Sequence, residues 1–241
     1  MRMTLIKYLL LGLLLLLISS SIALPIVMET MIERSLRETV PAEEIIANVH
    51  NGHGRMDIPL GLVGGIADRI SVSGRNVQIG KLLCSRVDVW ADNVDVDMAR
   101  LIDDGKLLFQ HLGDAEVIAE VKEEEVAKTL EQSVEKLSNV SVNITPSGIE
   151  ADGDYTLGKL PARIFLTGQL VGRGDKIYFV SERVTLQHTI GKISANFKTD
   201  ALLADLSTLP FAVRVADIRP FDGVVSIRVE KEDTVMEQKT Q

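Results

Sequence analysis

Residues 87–97, which read VDVWADNVDVD, decide the fold because their apolar and polar side chains alternate. In an extended chain Val87 and Val89 lie on one face, and Val94 and Val96 likewise share a face. Side chains of a β-strand point alternately to opposite sides of the sheet, so this alternation predicts strands with one buried and one solvated face. The change of phase near Asp92 and Asn93 predicts a β-bulge or a tight bend.

The same period of two extends along the chain in both directions. It covers Ile70–Ile79 upstream and Glu116–Lys122 downstream. Gly172–Asp175 has the composition of a hairpin turn. Further strands are predicted over Val140–Thr145, Ile149–Asp152, Ala162–Val171, Lys176–Val184, Ile193–Lys198 and Val224–Glu230.

Two longer segments have helical periodicity instead. Apolar residues recur every three or four positions from Glu123 to Leu137, which predicts an amphipathic helix. They recur every four positions from Met28 to Leu36, which predicts a helix within residues 25–40. This helix either leaves a membrane as a stalk or packs on the domain, and the pattern is compatible with both. A short helix over Ala42–Val49 is a further expectation.

The chain is therefore expected to be α+β and β-rich. We expect an elongated body of curved antiparallel sheet wrapped around one or two amphipathic helices, preceded by an N-terminal transmembrane or signal helix. The predicted organisation is a signal peptide or anchor at 1–24, a juxtamembrane helix at 25–40, a β-rich domain at 41–231 and a polar tail at 232–241.

The N-terminus is typical of an exported protein. Arg2 and Lys7 precede an apolar run, and Ala23 completes a small-residue cleavage pattern. The uncharged run from Tyr8 to Met28 is also long enough to cross a bilayer, so a retained anchor is the alternative. The expected location is a single-pass cell-membrane protein with its N-terminus inside and its domain outside, or a secreted protein if cleavage follows Ala23.

Composition excludes several classes of function. The net charge is −8, which is unsuited to binding nucleic acid. Cys84 is the only cysteine and lies in an apolar setting, so it is predicted to be a buried small hydrophobe. His50 and His53 lack further ligands at a suitable spacing, so no metal is expected. No nucleophile lies on a glycine-flanked elbow, and we expect neither an enzyme nor a cofactor.

Several segments resemble the LmeA-like phospholipid-binding family. They are the charged helix at Glu33–Arg37, the glycine-to-strand segment Gly64–Val72, the strand pair Val87–Asp97, the strand-to-helix junction Ala115–Leu130 and Leu209-Pro210 before the last strands. The resemblance implies an exported or membrane-anchored protein with an elongated β-rich body that binds phospholipid.

The function expected from this pattern is phospholipid binding in an apolar groove at the outer face of the cytoplasmic membrane. The protein would sequester or transfer lipid, with phospholipid and the membrane as partners; the sequence predicts no particular protein partner. A scaffold that pairs with a protein and holds no lipid is the main alternative, and an envelope hydrolase is a third. The groove candidates are Val117, Ala119 and Val121 on one strand, and Ile164, Leu166 and Leu170 on another.

Overall fold

The computed structural model of this chain describes residues 26–50, 65–157, 160–188, 191–195, 199–209 and 211–232. Within these ranges the chain forms thirteen strands, which build two curled antiparallel sheets, and three helices. The predicted β-rich class is therefore confirmed.

The first sheet has seven strands. They are β1 (Glu44–His50), β2 (Ile66–Ile79), β3 (Leu82–Val96), β4 (Phe109–His111), β5 (Ala115–Lys122), β12 (Val213–Phe221) and β13 (Val224–Lys231). Their spatial order is β1-β2-β3-β5-β13-β12, and β4 pairs with β3. Strand β13, the last in the sequence, thus lies beside β5, which is distant from it in the sequence.

The second sheet has six strands. They are β6 (Leu137–Thr145), β7 (Gly148–Leu157), β8 (Leu160–Arg173), β9 (Lys176–His188), β10 (Gly191–Ala195) and β11 (Thr199–Asp205). Strands β6 to β9 form a meander, and β10 and β11 pair in succession with the outer edge of β9.

The helices are α1 (residues 26–39), α2 (Met98–Asp103) and α3 (Glu123–Ser133). The buried face of α3 includes Val126, Ala127 and Leu130. This helix contacts both β6 and β11, which lie at opposite ends of the second sheet. The second sheet is therefore curled around α3.

Helix α1 packs on the protein. Met28 and Ile32 have exposed fractions of 2% and 0%, whereas Ile26 and Val27 are exposed. In the structure the helix is packed against the domain, which was one of the two interpretations of its sequence pattern. None of the helices in the described ranges is both long and apolar enough to cross a membrane. The predicted signal peptide or anchor at 1–24 lies outside those ranges.

The predicted irregularity in β3 is present at Asn93. This residue has a positive φ of 50°, a conformation that asparagine adopts more readily than most residues. Burial changes phase around it, from Ala91 to Val94. The extra residue between these two inward positions is the reason that the valines of residues 87–97 follow two different phases.

Some predicted boundaries are wrong. Helix α3 ends at Ser133 rather than Leu137, because the backbone of Val134 is already extended. Lys136 then takes a positive φ of 66°, and Leu137 begins β6. The segment expected as a helix over Ala42–Val49 contains β1, in which Ile45 and Ala47 are buried. Strands β4, β11 and β12 were not predicted, since β4 has three residues and β12 has a register shift that breaks its alternation.

The chain divides into two compact units. One comprises residues up to Gly74 together with Val89–Ala115, and it holds α1, β1, α2 and β4. The other comprises Arg75–Asp88 and the residues from Glu116 onward, and it holds α3 and the whole second sheet. All residues of the candidate site belong to this second unit.

Candidate functional site

Strands β5 and β13 provide one wall of an apolar cavity in the second unit. Val117 pairs with Val229 and Ala119 with Ile227 across the two strands, and all four side chains are buried. These inward positions on β5 alternate with half-buried residues on its other face. The wall therefore follows from the period of two that the sequence displays.

The remaining lining comes from both sheets and from one turn. Ile79, Leu82 and Cys84 extend the wall along β2 and β3. Ile177 of β9 and Ala204 of β11 contribute from the second sheet, and the turn after β11 adds two leucines. All of these residues are apolar, so the cavity offers dispersion contacts and no hydrogen bonds.

The cavity is small in this closed arrangement. Its volume is about 20 Å³, close to the space that one water molecule needs, whereas pockets for small organic ligands measure roughly 300–1,000 Å³. An acyl chain fits only if the walls separate. The cavity, which we also call the apolar seam, is thus a narrow closed space between the two sheets rather than an open groove.

The Cys84 thiol is part of this seam and is buried, as predicted. Burial raises the pKa of the thiol to about 12. The thiolate is the reactive form of cysteine, so Cys84 is unreactive at neutral pH as long as it stays buried. Its place in the lining nevertheless makes it a reporter for access to the cavity.

The structure brings only part of the predicted site together. Of the first group, Val117 and Ala119 line the cavity, and Val121, two residues further along β5, is buried without lining it. Ile164 and Leu170 are buried on β8, with Leu166 half-buried between them, and none of the three lines the cavity.

The sequence contained a signal for some of the lining residues that were not predicted. Ile227 and Val229 alternate within the predicted strand Val224–Glu230, and only their pairing with β5 identifies them as neighbours of Ala119. Leu206 and Leu209 lie in a turn, where no periodicity indicates which residues point inward.

An open groove adjoins the cavity. It has a volume of about 610 Å³ and is lined by residues of the β8–β9 turn, by residues between the end of β11 and the start of β12, and by Glu232 after β13. Leu206, Leu209 and Phe211 provide apolar surface, and Asp175 and Glu232 provide carboxylates. None of the described lining residues is cationic. Leu206 and Leu209 line both the groove and the cavity.

An apolar seam beside a groove with a polar rim suits an amphiphilic ligand. The family model for LmeA-like phospholipid-binding domains matches residues 57–230, well over half of the chain. The chain belongs to the LmeA-like phospholipid-binding family. The match includes all of the strands that line the cavity in this LmeA-like protein. No curated protein and no solved structure matches the chain.

Proposed function

We propose that this LmeA-like protein binds a phospholipid by placing an acyl chain between the β5–β13 wall and strands β9 and β11. The observation that carries the proposal is the wholly apolar cavity lined by Val117, Ala119, Ile227 and Val229. A headgroup would remain in the adjoining groove, where polar side chains and solvent can satisfy it.

The energetics favour exchange with a membrane over permanent storage. Transfer of an acyl chain out of water gains about 0.8 kcal/mol per methylene group. The same chain gains almost nothing from this effect when it moves from a bilayer into an equally apolar seam. Opening the cavity separates apolar protein surfaces, and the acyl chain then covers those surfaces again. Binding and release are therefore nearly balanced, which suits sequestration and transfer.

We place this activity at the outer face of the cytoplasmic membrane. The proposal is supported by the positively charged, apolar N-terminus, which is typical of a signal peptide or anchor. A retained anchor would raise the effective concentration of the domain near lipid. We further propose that the role is not enzymatic, because the described residues of the cavity lining include no nucleophile other than the buried Cys84 thiol, whose pKa is raised.

A photoactivatable phospholipid tests the site in the unaltered full chain. Vesicles that contain a phospholipid with a diazirine on one acyl chain are mixed with the protein and irradiated, and the cross-linked peptides are identified by mass spectrometry. We expect cross-links in β5 and β13. Cross-links confined to the apolar N-terminal segment would contradict the proposal.

Two variants, each of which replaces one alanine of β5 by leucine, test the same site through its lipid occupancy. Ala119→Leu places a larger side chain in the space that the acyl chain needs, and overpacking costs about 1–3 kcal/mol. We expect lipid occupancy in native mass spectra to fall by about tenfold. Ala115→Leu is the control, since Ala115 is buried on the same face of β5 but does not line the cavity. An equal loss in both folded variants would refute the assignment.

The scaffold alternative remains the second candidate because the closed cavity holds only about 20 Å³. In that case β5 and β13 form an ordinary core and the sheet pairs with a protein. A folded chain that takes up no lipid and shows no cross-link in these two strands would favour the scaffold.

A further inference from the structure

Two leucines separate the apolar cavity from the open groove. Leu206 and Leu209 line both spaces, and no other residue in the described part of the chain does so. Leu206 is 3% exposed and Leu209 is half-buried. They therefore occupy the boundary between an enclosed space and one that is open to solvent.

The turn that carries these leucines is held by one backbone hydrogen bond to the β8–β9 turn and by two hydrogen bonds within its own segment. The amide of Leu206 donates to the carbonyl of Asp175 at 2.8 Å, and the amide of Leu209 donates to the carbonyl of Leu206 at 3.0 Å. The amide of Ser207 donates to Oδ1 of Asp205 at 3.0 Å. These bonds fix the backbone, while the two side chains are restrained mainly by apolar packing, which rotamer changes can rearrange.

We propose that Leu206 and Leu209 form the gate through which an acyl chain passes from the groove into the cavity. Displacement of both side chains toward the groove joins a space of about 20 Å³ to one of about 610 Å³. The path leads from a rim with carboxylates to a lining that is entirely apolar, which matches the order of groups in a lipid. The identity of the ligand rests on the proposed function, but the gate itself can be tested without lipid.

Cys84 reports on the gate because it lines the cavity and is the only cysteine of the chain. The probe is N-ethylmaleimide, a small uncharged thiol reagent, and mass spectrometry of the full chain follows its addition. We expect Leu206→Ala to accelerate labelling by about tenfold or more, because truncation removes packing that holds the gate closed. Leu209→Trp adds bulk from the groove side and should slow labelling.

Leu203→Ala is the matched control. Leu203 is a buried leucine of the preceding strand, 1% exposed, and it lines neither the cavity nor the groove. The control therefore measures how far general loosening of this region exposes Cys84. The gate is contradicted if Leu203→Ala and Leu206→Ala accelerate labelling equally, or if Leu206→Ala leaves the rate unchanged.

Uptake of a fluorescent phospholipid from vesicles separates the gate from the proposed function. Leu206→Ala should speed uptake and Leu209→Trp should slow it, whereas Leu203→Ala should match the unaltered chain. If no variant takes up lipid but Leu206→Ala still accelerates Cys84 labelling, the gate stands and phospholipid is the wrong ligand. If lipid is taken up at the same rate by all variants, the gate is wrong and the binding function stands. Should Leu206→Ala fail to fold, an unchanged rate in Leu209→Trp is sufficient to overturn the gate.

Discussion

The carboxylate of Glu33 on α1 accepts a hydrogen bond of 2.9 Å from the backbone amide of Ala47 on β1. Glu29, one helical turn earlier, accepts a bond of the same length from the amide of Val49. Strand β1 is the terminal strand of its sheet, so these amides face away from β2 and would otherwise be unpaired. Helix α1 therefore covers an edge that could pair with another chain.

The spacing of helix and strand allows this arrangement. Four helical residues advance by about 6 Å and two strand residues by roughly 6.6 Å, so side chains at every fourth position meet every second amide or carbonyl. The series continues with Arg37, which donates a bond of 3.1 Å to the carbonyl of Ile45.

Helix α3 protects the terminal strand of the second sheet in the same way. Glu123 accepts a bond of 2.7 Å from the amide of Ile144, and Glu131 accepts one of 2.7 Å from the amide of Val140. Strand β6 carries both amides and lies at the end of its sheet. Glu123, which begins α3, thus stabilises a strand edge as well as the helix N-terminus, and Glu131 binds the same edge from the last turn of the helix.

Removal of the Glu33 carboxylate should expose the edge of β1. We expect Glu33→Ala to increase the hydrogen-exchange rate of the Ala47 amide by about fivefold, because a hydrogen bond to a protein group is worth about 1 kcal/mol. Amide exchange followed by NMR or mass spectrometry measures the change. Glu38→Ala is the control, since Glu38 forms an exposed ion pair with Arg34 on the same helix. Equal exchange in the two variants would show that the carboxylate does not protect the strand.

The buried thiol predicts a specific pH dependence of stability. Burial raises the pKa of Cys84 from 9.0 to about 12, so the unfolded chain loses this proton at a lower pH than the folded protein. The contribution to stability is complete below pH 9 and is lost as the pH rises from there toward 12. The free energy of unfolding should fall by at most ~1.4 kcal/mol per pH unit from this group.

Denaturant unfolding of the unaltered chain and of Cys84→Ala between about pH 8 and pH 10 isolates that contribution. Other groups titrate in this range in both proteins, so only the difference in slope reports on Cys84. We expect a shallower decline in the variant. Identical slopes would mean that the thiol is not desolvated in the folded protein.

The charge of the groove predicts a headgroup preference, provided that the proposed function holds. Asp175 and Glu232 line the groove, so a zwitterionic headgroup with an ammonium should be favoured over a net anionic one. In the variant Asp175→Asn with Glu232→Gln, binding of a phosphoglycerol lipid should rise about two- to fivefold relative to a phosphoethanolamine lipid, the range expected for exposed charges.

Competition between vesicles of the two lipids at low salt measures this ratio. Glu182→Gln serves as the control because Glu182 is an exposed carboxylate on β9 outside the groove. The control removes one charge and the double variant two, so a ratio that moves about half as far in the control would assign the effect to net charge rather than to the groove.

The sequence identified part of the cavity lining for a physical reason. Burial on β5 follows from local alternation, so Val117 and Ala119 could be assigned to an inward face from the sequence. The same alternation assigned Ile164 and Leu166 to the inward face of β8. It did not indicate which other strands that face packs against, and neither residue lines the cavity. Leu206 and Leu209 could not be identified from the sequence at all. They separate the cavity from the groove, but they lie in a turn, where no periodic pattern indicates which residues are buried.

The sequence by itself determined the β-rich class, the inward faces of β5 and β13, the irregularity near Asn93 and the burial of Cys84. Each of these depends on contacts between a residue and its near neighbours in the chain, through the fixed period of a strand or the chemistry of one side chain. Only the tertiary structure decided that β13 pairs with β5, that glutamates of two helices cover two strand edges, and that the turn after β11 separates a cavity from a groove. These arrangements join residues far apart in the sequence, and many alternative pairings bury the same apolar faces, so local patterning cannot select among them.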